Sequence, residues 1–149
     1  MRTSGILMPL FSLSGKYGIG TLGKNAFEFI DFLKLSGQTY WQMLPVGPTS
    51  YGDSPYQSFS AFAGSHYYID LETLVDEGLL DLSDIEGIEW ESEVDRVDYA
   101  LLYENRIPVL KKAFSVFLEN IPDDYKRFCN DAFWLNDYAL FMSLKDENS

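Results

Sequence analysis

Three consecutive segments leave this chain few ways to fold: an apolar stretch over residues 5–10, an amphipathic stretch over about 22–36, and a second apolar stretch over 40–44. Leu22, Ala26, Phe29, Ile30 and Leu33 recur at helical spacing. Gly37 stands where a helix can end in the left-handed conformation. Strand, helix and strand at this spacing make a βαβ unit, with parallel strands and a right-handed crossover. Both flanking stretches are apolar at successive positions, as strands are when both faces are covered. The fold class is therefore α/β.

The remainder reads as mainly helical. Tyr67 to Leu71 is a short extended piece, and Glu72 to Glu77 a helix closed by Gly78. Residues 81–93 are acidic and poorly periodic, which predicts a surface loop with short helical turns. Val97 to Glu119 has a helical pattern that Pro108 should break or kink. Asp123 or Asp124 can cap a last helix. Phe128, Ala132, Leu135, Ala139 and Met142 form one stripe on it, and Trp134, Tyr138 and Phe141 another. Two apolar stripes predict burial on two sides.

Charge narrows the partners. With 11 basic and 23 acidic side chains the net charge is −12. This argues against nucleic acid and anionic membranes, which attract basic surfaces, and suits a neutral ligand. The acid is concentrated late: residues 1–60 hold four basic and three acidic groups, residues 61–149 seven and twenty. The single cysteine, Cys129, cannot form an internal disulfide and reads as a buried free thiol. The start at Met1-Arg2 faintly looks like a short signal peptide, but Pro9 breaks its apolar stretch and the same residues serve better as a strand. No segment is long enough to span a membrane, and the expected compartment is the cytoplasm.

The chemistry points to the block Tyr51-Gly52-Asp53-Ser54-Pro55-Tyr56-Gln57-Ser58-Phe59-Ser60-Ala61-Phe62-Ala63-Gly64. A loop gains nothing from four exposed rings. A sugar site does, because a pyranose stacks its apolar face on a ring and bonds its hydroxyls to short polar groups. Phe59 and Phe62 read as pins holding the loop to the core, whereas Tyr51 and Tyr56 carry hydroxyls that need partners. Gly18-Ile19-Gly20-Thr21-Leu22-Gly23 matches the dinucleotide fingerprint in letters only. A polar loop separates it from the first strand, and no acid lies between Asp31 and Asp53 to hold a ribose. Its glycines read as allowing close backbone approach, to strand two or to a sugar. His66 is the sole histidine and reads as structural, so no His/Cys metal cluster is expected. The acids between Asp70 and Asp98 lack the spacing of a calcium loop. No cofactor is expected. Glycoside chemistry needs two carboxyl groups across the scissile bond, and Asp53 is the only one in the block.

Several motifs in order carry a family resemblance: Ser4-Gly5-Ile6-Leu7, Tyr17 to Gly23, Trp41-Gln42-Met43-Leu44-Pro45-Val46-Gly47-Pro48-Thr49, the aromatic block, Val97-Asp98-Tyr99 and Trp134 to Phe141. The chain resembles the 4-α-glucanotransferases (amylomaltase, or disproportionating enzyme), glycoside hydrolase family 77. The likeness is specific over 4–71 and looser over 72–149; Ser50 and Ser65-His66 depart from the pattern. It implies a partial (β/α)8 TIM barrel, with residues 1–71 as the first βαβ part bearing a donor-site loop and 72–149 as a mainly helical insertion. A closed barrel takes about 250 residues, so the chain is expected to be a portion of a longer enzyme. The resemblance implies an α-1,4-glucan or maltooligosaccharide substrate and a retaining double displacement. Tyr56 would be the ring beside the reacting sugar, Ser54 and Asp53 would shape its pocket, and Tyr51 with Tyr99 would form an outer glucan surface. No catalytic residue carries over, because the family's carboxylates lie on later segments. An α-amylase-type hydrolase and a non-catalytic glucan-binding module are the alternatives.

Overall fold

The computed structural model describes residues 2–93 and 95–148. Met1, where the leader-like reading begins, lies outside them, as does Ser149. Strand β1 (Gly5–Leu7) pairs in parallel with β2 (Tyr40–Gln42), Ile6 opposite Trp41. Helix α1 (Lys24–Leu35) connects them, and Gly37 follows it at φ +69°. The predicted βαβ unit is present, with shorter strands than the apolar stretches suggested. Pro9 lacks a ladder donor, and the chain coils into a 3₁₀ turn at Leu10–Ser12. Leu7 and Tyr40 stay more than half exposed on this two-stranded sheet.

Helix α2 (Leu71–Asp76) is capped by Asp70, whose carboxylate accepts from the Thr73 N–H at 2.9 Å. The extended piece expected over Tyr67–Leu71 shrinks to Ile69 and Asp70, between a 3₁₀ turn at His66–Tyr68 and this helix. Residues 81–93 do form a loop with a short helical turn at Leu82–Asp84, but it is not only surface. Ile85 and Trp90 are buried, and the Trp90 indole donates to the Ile85 carbonyl at 3.2 Å.

Helix α3 (Tyr99–Phe117) runs unbroken through Pro108. A mid-helix proline costs on the order of 3 kcal/mol, and packing at both ends of α3 offsets it. Leu102 completes a core cluster with Leu10, Leu13, Ile19, Ala26, Tyr67 and Tyr68. Val109 and Ala113 complete a second with Leu71, Leu80, Ile85 and Trp90.

The single last helix expected is two, α4 (Asp123–Asp131) and α5 (Leu135–Glu147). Asp123 and Asp124 do not cap α4. Pro122 holds that position, while the two acids occupy the first turn and pair with Lys126 and Arg127. There they favour the positive end of the helix dipole. Cys129 is a half-buried rather than buried free thiol. Neither α4 nor α5 has a fully buried residue, and Phe133 and Leu140 are well exposed, so burial on two sides is not seen. Among the described residues, no helix is long and apolar enough to cross a membrane.

Candidate functional site

The aromatic block follows β2 and is folded by its own short polar side chains. Thr49 and Ser58 form an antiparallel bridge that closes the loop. Within it the Asp53 N–H donates to the Ser50 carbonyl at 3.0 Å. Asp53 sits at φ +52°, a left-handed position that aspartate tolerates better than most residues. The Thr49 hydroxyl donates to its carboxylate at 3.2 Å. The Gln57 N–H donates to the Ser54 carbonyl at 3.0 Å, and the Tyr56 N–H lies 3.4 Å from the Ser54 hydroxyl oxygen. Further on, the Ser60 hydroxyl oxygen accepts from the Phe62 and Ala63 N–H groups at 3.1 and 3.0 Å. These bonds turn the chain so that Tyr56 and Phe62 face one cleft of about 410 Å³, shared with Pro45, Val46, Pro55 and Ser58. That volume lies in the range of small-molecule sites, and no charged side chain lines it.

The other sequence-predicted residues are placed differently. Asp53 and Ser54 shape the turn that carries Tyr56 and do not line the cleft. Tyr51 stands wholly in solvent. Tyr99 opens α3, half-buried, its ring edge-on to Tyr67 at 5.9 Å. Burial pushes its hydroxyl up to about 12, helped by Tyr68 and by the negative charge of Asp53. The same charge acts on Tyr67, whose hydroxyl is raised chiefly by burial. Tyr56 therefore lines the cleft, and Asp53 does not.

Phe59 and Phe62 pin the loop, but not to the core as expected. Phe62 stacks on Trp134 (6.0 Å, 13° between planes) and meets Phe133 edge-on at 5.1 Å. Phe59 meets Phe141 at 5.8 Å and lies under the Lys145 ammonium, 4.8 Å from the ring centre. The loop is thus held by α5 and by the turn that precedes it.

The glycines of this loop approach Trp90, Leu10 and Asp70, not strand two or a sugar cleft. Gly18 has φ +75°, and a Cβ there would overlap the Trp90 carbonyl oxygen. A Cβ on Gly23 would overlap the Asp70 carboxylate. Asp70 accepts from the Thr21 hydroxyl at 2.6 Å and from the Thr73 hydroxyl at 3.0 Å. Burial raises its pKa, but these bonds and the Arg106 charge outweigh burial and hold it below the ordinary carboxylate value. The small depression beside it, about 100 Å³ among Lys16, Tyr17, Thr21, Asn25 and Glu72, is below the size of a typical ligand site.

Arg106 escaped the sequence reading. It is fully buried, and its guanidinium donates to the Tyr17 carbonyl at 3.3 Å and to the Ile69 carbonyl. It ties the glycine loop to the segment entering α2. A signal existed: Arg106 lies on the apolar stripe Leu102, Val109, Ala113, where a charge needs buried partners. His66, read as structural, has its ring 4.3 Å from that of Tyr67, and its Nε2 is buried without a hydrogen-bond partner.

The sequence model of the 4-alpha-glucanotransferases matches residues 8–149. The 4-alpha-glucanotransferase of Streptococcus pneumoniae is 51% identical over 148 residues, covering 97% of this chain and 29% of the relative. That of Thermus thermophilus is 50% identical over 149 residues, with the same coverage. The solved amylomaltase of Streptococcus agalactiae in complex with acarbose superposes with a TM-score of 0.94 at 44% identity, covering 99% of this chain and 30% of that one. The chain therefore spans somewhat under a third of the length of these relatives. With nearly every residue inside the match, the chain belongs to the 4-alpha-glucanotransferase family, glycoside hydrolase family 77.

Proposed function

We propose that the protein carrying this chain is a 4-α-glucanotransferase. It cleaves an α-1,4-glucan, holds the donor segment as a covalent glycosyl-enzyme, and passes it to the 4-hydroxyl of an acceptor sugar. The observation that carries this reading is the uncharged cleft bearing the mostly exposed ring of Tyr56, in a chain of this family. A half-exposed apolar wall with a phenol suits a neutral sugar face. The roles proposed are those the family resemblance implies. Tyr56 lies under the reacting sugar, Asp53 and Ser54 hold the turn that aims it, and Tyr51 with Tyr99 serves more remote sugar units. Retaining transfer needs a nucleophilic carboxylate and an acid/base carboxyl. No carboxylate lines this cleft, and the family resemblance assigns both to later segments of the enzyme. Exclusion of water and a bound acceptor then favour transfer over hydrolysis.

The two parallel strands are assigned to the start of a (β/α)8 barrel. Leu7, Tyr40, Met43 and Val46 are exposed here, whereas parallel strands are ordinarily covered on both faces. Further strands and helices would cover them. Residues 1–71 are assigned to the barrel portion and 72–149 to a mainly helical insertion; the cluster of Leu80, Ile85, Trp90, Val109 and Ala113 joins the two through Leu71 and Tyr17. The expected partner is a maltooligosaccharide, the expected compartment the cytoplasm. The net charge of −12 disfavours nucleic acid and anionic membranes.

The product pattern from maltotriose tests the reading. Disproportionation yields both shorter and longer glucans. Only shorter products would make the protein a hydrolase, and binding without turnover would leave a glucan-binding module.

A further inference from the structure

We infer that Trp134 is a positioning residue: through Phe62 it sets where the loop wall that shares the cleft with Tyr56 stands, and so couples the α4–α5 pair to the cleft. This deepens the proposed function and rests on it. Three observations carry it. First, Phe62 is shared, lining the cleft with Tyr56 on one side and lying parallel to the Trp134 indole on the other. Second, Trp134 is itself braced, edge-on to Phe128 of α4 at 6.2 Å and to Tyr138 of α5 at 6.0 Å. Its ring thus reports the relative placement of both helices. Third, the break between α4 and α5 falls where Phe133 and Trp134 both meet Phe62. One continuous helix would turn adjacent side chains about 100° apart.

Other ties on this wall stay within the loop segment. Among them are the Ser60 hydroxyl bonds to Phe62 and Ala63, the Ser58 hydroxyl donating to the Ser60 carbonyl at 2.7 Å, and the Ser65 N–H donating to the Val46 carbonyl at 2.9 Å. Those bonds shape the loop but do not fix it against the helices; the rings do. Aromatic pairs have preferred offset and edge-on geometries, so the contact sets an orientation as well as a distance. A wall displaced by about 1 Å can lower turnover up to a hundredfold when it aligns a reacting group.

The test uses the full protein that carries this chain, labelled with 5-fluorotryptophan. The Trp134 signal is the fluorine resonance absent from Trp134→Phe. Phe62→Ala is expected to move that signal. Trp134→Ala is expected to lower kcat on maltotriose about tenfold, with KM changed less. Trp134→Phe should recover most of the loss, and the Phe62→Ala/Trp134→Ala double variant should be no slower than the worse single one. An unmoved fluorine signal would overturn the inference. So would a Trp134→Ala enzyme with a lower Tm but unchanged kcat per active site, since that is a purely structural role. Fully additive effects of the two variants would also overturn it. An unmodified protein that transfers no glucan would instead overturn the functional reading. The fluorine signal and protease cleavage within 50–64 would then decide alone whether Trp134 holds the loop.

Discussion

Replacing Arg106 by methionine isolates what one buried cation does for this fold. The side chain is 0% exposed, and burial lowers its pKa from 12.5 to about 10, against the favourable charge of Asp70. At about 1.4 kcal/mol per pKa unit, enclosing the charge costs on the order of 3 kcal/mol. Hydrogen bonds from a charged donor contribute about 1.5–3 kcal/mol each, and Arg106 makes two, to the Tyr17 and Ile69 carbonyls. Arg106 Nε is buried without a partner, so the charge is close to neutral in its net effect. Methionine removes the desolvation cost and the two bonds together, and it packs well. It also leaves two partly enclosed carbonyls without donors, at about 1–3 kcal/mol each, and deprives Asp70 of its cation. With the charge and its bonds near balance, the expected net loss is that of the two orphaned carbonyls, about 2–6 kcal/mol. Urea denaturation followed by tryptophan fluorescence measures it, because Trp90 lies edge-on to Tyr17 at 5.7 Å, beside the bonded loop. Lys112→Met is the control. Its pair with Asp84 is half-exposed on the lysine side, and such pairs contribute about 0–1 kcal/mol. A neutral or stabilising Arg106→Met would refute the reasoning, because it would mean that the two carbonyls do not depend on the guanidinium.

Three further outcomes are expected. Tyr56→Ala should cut turnover on maltotriose by the equivalent of about 2–4 kcal/mol, whereas Tyr51→Ala should raise KM for long glucans alone; equal effects on steady-state kinetics would erase the distinction between inner and outer rings. His66 has a pKa lowered by burial and then by Arg106, from an ordinary value of 6.5. Between the two values the unfolded chain binds more protons than the fold, so stability should fall as pH drops below about 6.5 toward the lower folded value; thermal melts of His66→Gln should lack that part of the acid limb, and an unchanged limb would exclude it. Gly18→Ala should destabilise by more than the roughly 1–2 kcal/mol of a left-handed alanine, because the new methyl also meets the Trp90 carbonyl; a melting temperature within error of the unmodified protein would count against that contact.

Local pattern was enough for the βαβ unit, for the helix stop at Gly37 and for the 99–117 helix, because periodicity and φ preference act within a few residues. The aromatic loop was legible as a candidate site for a similar reason: its rings and short polar groups are adjacent in sequence, and these internal bonds span two to four residues. Everything that depended on a distant partner had to wait for the tertiary structure. Gly18 is a glycine because of Trp90, and Gly23 because of Asp70. Pro108 is tolerated because α3 packs into two clusters built from residues far along the chain. Arg106 reads as a misplaced charge until Tyr17, 89 residues away, supplies a carbonyl. The break at Ala132–Trp134 carries no proline or glycine. It arises where two rings must reach Phe62 at once, and that demand comes from packing across the fold rather than from the preference of any residue in the turn.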